Sequence, residues 1–282
     1  MLYAALAALS GLVWGIGDFA GGKATQTAAA MPVTWVSKLV SLPLLGLYIV
    51  LTYVPPQAAS LTWGALGGAA GLFGLILFYR ALSSGAMTVV APVTAVTSAA
   101  IPVAVGLASG EDTRGAQLLG VICALVAIAL VSLSLSRPGE VRAVSVPLLI
   151  MAVGSGVGFA LFFVVLARAG DAGGTAGLWP VAASQLSALV IATAVLAMRR
   201  HDGWPHGVAF RWTLVAGPFD MTANALYLMA TQHGDLSIVA PLAALYPVTT
   251  VVLALLIDRE RMRPVQVIGL GMAVLALVLV NR

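Results

Sequence analysis

Residues 85–131 and 234–280 carry nearly the same pattern in the same register, and both lie in strongly apolar sequence. A shift of 149 positions sets Gly85 on Gly234, Val90-Ala91-Pro92 on Val239-Ala240-Pro241, and Ala95 on Ala244. The match runs on through Val103/Val252, Glu111/Glu260, Arg114/Arg263, Gln117/Gln266, Gly120/Gly269, Ala124/Ala273 and Ala127/Ala276. A repeated pattern calls for a repeated structure. Inside a bilayer, two such copies can rock against each other around a site at their interface. A weaker echo at a shift of 145 sets Ala7, Ser10 and Gly11 on Ala152, Ser155 and Gly156.

Composition identifies the solvent. Of 282 residues, 61% are hydrophobic and only 9% charged, with a mean hydropathy of +1.04. Soluble domains carry about 25% charged residues. A helix needs roughly 20 apolar residues to cross the hydrocarbon core. Ten such runs are predicted, at 2–20, 32–53, 61–82, 86–109, 115–136, 144–167, 175–198, 209–231, 236–257 and 264–281. They use up the chain, so no separate soluble domain is expected. The start of the chain is read as a retained span rather than a cleaved leader, because it lacks a basic segment and Asp18 interrupts its apolar run. The single Cys123 allows no disulfide within the chain.

Short loops force neighbouring spans antiparallel. Five spans are an odd number, so a second copy enters the membrane from the opposite face. The expected fold is an all-α membrane protein with ten transmembrane helices as two inverted five-helix repeats. The repeats are residues 1–136 and 144–282, and 137–143 is a polar, turn-forming linker. Ten basic residues in loops or near span ends then fall at one end of the bundle, against three (Arg114, Arg168, Arg282) at the other. The positive-inside rule puts both termini outside the cytoplasm. The formal charge of +4 belongs to these flanking loops, and a nucleic-acid partner is not expected.

Small residues recur at helical spacing as Gly11/Gly15, Gly17/Gly21, Gly64/Gly68, Gly67/Gly71 and Gly154/Gly158. Such faces let helix backbones approach closely in lipid. Pro92, Pro102, Pro241 and Pro247 fall inside spans four and nine and are expected to bend them. Backbone freed in this way lines cavities in many membrane proteins.

Few polar side chains sit within the spans. A carboxylate at mid-membrane costs about 2.5–3.5 kcal/mol on insertion scales, so Asp18 needs a partner, a proton or a wet cavity. It follows Trp14 by one turn, and the two share a face suited to a cationic group or to a coupling proton. The alternative is that Asp18 lies at the end of the span, in water beside Lys23. Lys38, in span two, could snorkel to the headgroups, pair with Asp18 across the first hairpin, or bind a substrate anion. Asp220, Asn224 and Tyr227 form a stripe along span eight, which reads either as a cavity wall or as interhelical hydrogen bonding. Asp18 and Asp220 are the proton-coupling candidates. Tyr246 sits between the prolines of span nine. Glu111 with Arg114, and Glu260 with Arg263, read as loop pairs capping helix entries. There is no HExxH, P-loop, paired CxxC or nucleophile elbow, so no catalytic residue, metal ligand set or cofactor is assigned.

Trp14-Gly15, Asp18-Phe19 and Lys23 resemble the first-span signature of the EamA-like family in the drug/metabolite transporter superfamily. Tyr79-Arg80-Ala81-Leu82, Ala91-Pro92, Gly110-Glu111 and Gln117-x-x-Gly120 are similar to its repeat motif. The second copy supplies Tyr227, Ala240-Pro241, Glu260 and Gln266-x-x-Gly269, with Asp258-Arg259-Glu260 in place of the usual Gly-Glu. The resemblance implies a multi-pass cell-membrane transporter of small organic metabolites or drugs, working by alternating access with proton coupling or exchange. Drawings of that family put both termini inside, against the charge count. Its substrates are diverse, so fold says little about which solute is carried. The residues expected to face substrate are Trp14, Asp18, Lys38, Tyr79, Asp220, Asn224, Tyr227 and Tyr246. The partners expected are a small organic solute and the lipid bilayer, with monomer or homo-oligomer left open. The rival class is a non-transporting polytopic protein, such as a membrane-embedded enzyme or an assembly factor.

Overall fold

The computed structural model describes residues 2–82, 87–111, 113, 115–132, 145–171, 177–198, 203–257 and 264–280. The expected linker 137–143, and Arg114, Glu260 and Arg263, lie outside them. Among the described residues all regular structure is helical. The first half of the chain forms α1 (Leu2–Thr25), α2 (Ala30–Leu51), α3 (Ala58–Leu82), α4 (Met87–Ala108) and α5 (Ala116–Ser132). The second half forms α6 (Val146–Asp171), α7 (Trp179–Met198), α8 (Gly207–Thr231), α9 (Leu236–Ala243), α10 (Tyr246–Ile257) and α11 (Pro264–Val280). Prolines open several of these helices: Pro32, Pro147, Pro180, Pro247 and Pro264 all sit in a first turn, where no backbone N–H is needed.

Six segments are long and apolar enough to cross a membrane: α1, α2, residues 58–78 of α3, residues 146–170 of α6, α7, and α9 with α10 taken together. Within α4, α5 and α11 the apolar stretches are shorter. The chain is a multi-pass membrane protein.

The ninth expected span is broken in two. Pro247 has no N–H to return to the carbonyl of Ala243, four residues back, and Ala244–Leu245 form a turn between α9 and α10. The released Ala243 carbonyl faces α1, where a Cβ on Gly11 would lie 2.8 Å from its oxygen. Gly15, one turn on, likewise makes room for the Tyr246 carbonyl at the start of α10, 2.6 Å from the position of a Cβ. By contrast α4 runs as continuous helix through Pro102.

Helices from the two halves interlock, and the contacts recur at fixed offsets. Ser10 on α1 donates to the Ala223 carbonyl on α8 at 2.9 Å. Ser155 on α6 donates to the Gly74 carbonyl on α3, also at 2.9 Å. The donors are 145 positions apart and the acceptors 149. Gly11 meets the Ala243 carbonyl as Gly156 meets that of Thr94, at 2.9 Å from the position of a Cβ. Gly120 packs on Val280 as Gly269 packs on Val131. In lipid, apolar side chains gain nothing by leaving water, so close backbone packing of this kind is what holds such helices together.

Candidate functional site

A cavity of about 190 Å³ lies at the centre of the bundle. Its walls come from α1, α2, α3, α4, α6, α7, α8 and the start of α10. Its polar heart is the ion pair between Lys38 and Asp220, with Nζ to Oδ2 at 3.0 Å. Close packing positions it. Gly217, three residues before Asp220, leaves room for the backbone of Ser37, whose Cα would lie 3.1 Å from a Cβ there. That approach brings the next residue of α2, Lys38, within reach of Asp220.

Asp18 stands on the same wall and remains open to solvent. Among the described residues its carboxylate accepts no hydrogen bond and forms no ion pair. Asn224 lies one turn beyond Asp220, and its Nδ2 donates back to the Asp220 carbonyl at 2.6 Å. Its Oδ1 is left as an acceptor.

Exposure falls steeply in one direction. Along α8 the part-exposed Asp220 gives way to Asn224, 6% exposed, and Tyr227, 0% exposed. Along α1, which runs the other way, Asp18 is exposed while Trp14 is 7% exposed. The cavity therefore opens toward the end of the bundle where α1 finishes and α8 begins. An aromatic cluster closes its floor: Trp14 against Phe163 at 5.5 Å between ring centroids, Phe163 against Tyr227 at 5.0 Å, and Trp14 against Tyr227 at 5.7 Å. Below the floor every residue of α9 is buried.

The closed end carries a bond between the halves. Glu111, after α4, accepts hydrogen bonds from the backbone N–H groups of Leu236 at 3.0 Å and Ser237 at 2.8 Å. It thereby caps the N-terminus of α9, where the N-cap residue Asp235 makes no side-chain capping bond. Thr113 and Ser237 add a hydroxyl pair at 2.7 Å. Gly106 makes space for the Glu111 carboxylate.

Of the residues singled out from sequence, Trp14, Asp18, Lys38, Asp220, Asn224 and Tyr246 come together on the cavity. Tyr227 does not reach it. Buried in the floor, it donates its hydroxyl to the Phe163 carbonyl at 3.0 Å, so its role is to hold α8 against α6. The side chains of Tyr79 and Pro92 lie outside what is described. Lys38 pairs with Asp220 from the second half, not with Asp18 across its own hairpin. Phe159, Phe162 and Phe163 line the cavity without having been singled out. Their i, i+3, i+4 spacing was a visible aromatic face, but it read as ordinary apolar sequence.

The geometry defines an all-helical, multi-pass membrane protein with a central charged cavity open to one end. Its second half, residues 145–282, matches the EamA-like transporter family and so belongs to the drug/metabolite transporter superfamily. A solved crystal structure of a protein 14% identical superposes with a TM-score of 0.77, covering 99% of this chain and 98% of the other. At that identity it shows a shared fold. No curated protein sequence matches.

Proposed function

We propose that this chain is a secondary transporter of small organic solutes in the cell membrane, working by alternating access between two inverted five-helix repeats, 1–136 and 144–282. The family of the second half makes transport the expected class. Extension to the first half is supported by the paired contacts, Ser10 with Ala223 and Ser155 with Gly74, which recur at the offsets of the sequence repeat. On this reading there are ten spans, with α9 and α10 forming one broken span.

The observation that carries the proposal is the cavity's one-sided exposure. Its ionisable groups meet water from one end, while an aromatic floor and the Glu111 cap close the other. That is one access state of a two-state cycle; rocking the halves would break the cap and lift the floor. Among the described residues Asp18 has no hydrogen-bond or ion-pair partner to lose, so it is the group open to a proton or a substrate cation. Asp220 is held by Lys38.

Vesicles loaded with a whole-cell small-molecule extract provide the test. Vesicles containing the protein should lose one or a few solutes selectively, as read by mass spectrometry. A solute profile matching that of protein-free vesicles would contradict transport.

A further inference from the structure

We propose that the cavity selects amphipathic organic cations: a protonated amine seated at Asp18, on an aromatic body lying against α3 and α6. This rests on the transporter reading and names its substrate class.

The two walls of the cavity differ chemically. One, from α1, α2 and α8, carries Asp18, Lys38, Asp220 and Asn224. The facing wall, from α3, α6 and α7, carries Gly71, Leu72, Leu75, Phe159, Phe162 and Ala188. At the offsets of the paired contacts, Asp18 corresponds to Phe163, Asp220 to Gly71 and Asn224 to Leu75. The backbone frame is thus repeated, while polarity at these positions is reversed. A solute spanning the cavity meets charge on one side and, apart from Ser184, apolar surface on the other.

The sign of the charge follows from what remains open. Two carboxylates face one ammonium, and that ammonium is engaged with Asp220. An anion would have to share that ammonium with Asp220 and meet the repulsion of two carboxylates. An amine meets Asp18 with no contact broken. The amide of Asn224 points the same way, since one of its two N–H groups is used by its own helix and its oxygen is left as an acceptor. The Asp18 carboxylate and the Asn224 oxygen are open acceptors, and they suit a donor-rich cation. Trp14, one turn from Asp18, also lines the cavity, and its aromatic ring attracts the same charge. Size limits the body. An apolar cavity of about 150 Å³ admits benzene, so 190 Å³ accommodates one ring with a short arm.

Three probes separate the contributions: phenethylamine, phenylacetate with the same ring and opposite charge, and butylamine with the same charge and no ring. Thermal stabilisation of the purified protein reads binding. Phenethylamine is expected to stabilise it, with phenylacetate and butylamine each about tenfold weaker or worse, near 1.4 kcal/mol. Asp18→Asn should lose the amine by a similar factor. Leu75→Asn should erase the preference for phenethylamine over butylamine. Phenylacetate binding as tightly as phenethylamine, butylamine matching it, or no stabilisation by any probe overturns the proposal. If Asp18→Asn fails to fold, the phenethylamine and phenylacetate comparison on the unaltered protein decides alone. Counterflow of labelled phenethylamine into vesicles is read separately. Binding without counterflow would sink the transport reading and leave the ligand class standing.

Discussion

Lys38 Nζ lies 3.0 Å from Asp220 Oδ2, although the two residues are 182 positions apart and on helices α2 and α8. The pair joins the two halves of the chain at mid-bundle and leaves Asp18, among the described residues, without an ion-pair partner. Removing one partner of a poorly solvated pair is worse than removing both, and partial exposure of this pair moderates the size of the effect. Lys38→Met and Asp220→Asn should each lower the melting temperature, and the double variant should regain at least half of the loss. Purely additive losses would show that the two side chains do not act together.

Asp18→Asn addresses the free carboxylate. If Asp18 seats the substrate's ammonium, the variant should weaken both gradient-driven accumulation and counterflow exchange. A residue that carries only the coupling proton would lose accumulation and keep counterflow. Accumulation at the level of the unaltered protein would return Asp18 to a structural role.

How much could be read beforehand depended on the range of each interaction. The membrane class was legible because twenty-residue apolar runs are a local signal; α2, expected over 32–53, runs Ala30–Leu51. Several close-packing glycines were legible too: Gly11, Gly15, Gly64, Gly68 and Gly158 all meet neighbouring helices within 3 Å of a Cβ position, whereas Gly21 meets nothing within 4 Å. The partner of Lys38 was not legible, because both Asp18 and Asp220 fit its charge and only the Gly217 approach selects one. Nor was the position of Tyr227, since a three-residue stripe spans enough of a helix face to leave the cavity at its far end. The Phe159/Phe162/Phe163 wall carries no polar signal at all.

The paired glycine contacts give a matched test. Gly11→Ala would press a methyl group onto the Ala243 carbonyl, and Gly156→Ala would do so onto that of Thr94. Overpacking of this kind costs about 1–3 kcal/mol. Both variants should melt lower by similar amounts, while Gly46→Ala, with nothing within 4 Å, should not. A drop for one and none for its counterpart would contradict the repeated frame.

Glu111 supplies both acceptors at the N-terminus of α9. Glu111→Ala should weaken closure at that end and leave the Lys38–Asp220 pair in place. Spin labels at Ala108→Cys and His233→Cys, in a Cys123→Ala background, report the separation there. The distance distribution should broaden toward longer values in the Glu111 variant. An unchanged distribution would make the cap a fixed structural contact.

Alternating access requires that one residue in the cavity meet water from both faces of the membrane in turn. Leu75 lines the cavity, and Leu75→Cys in a Cys123→Ala background places a single thiol there. A membrane-impermeant thiol reagent, applied to sealed vesicles of either orientation, measures which face reaches it. Modification from both sides, at rates that differ with the resting population of each state, is the expected result. Modification from one side alone, however long the exposure, would contradict transport by alternating access.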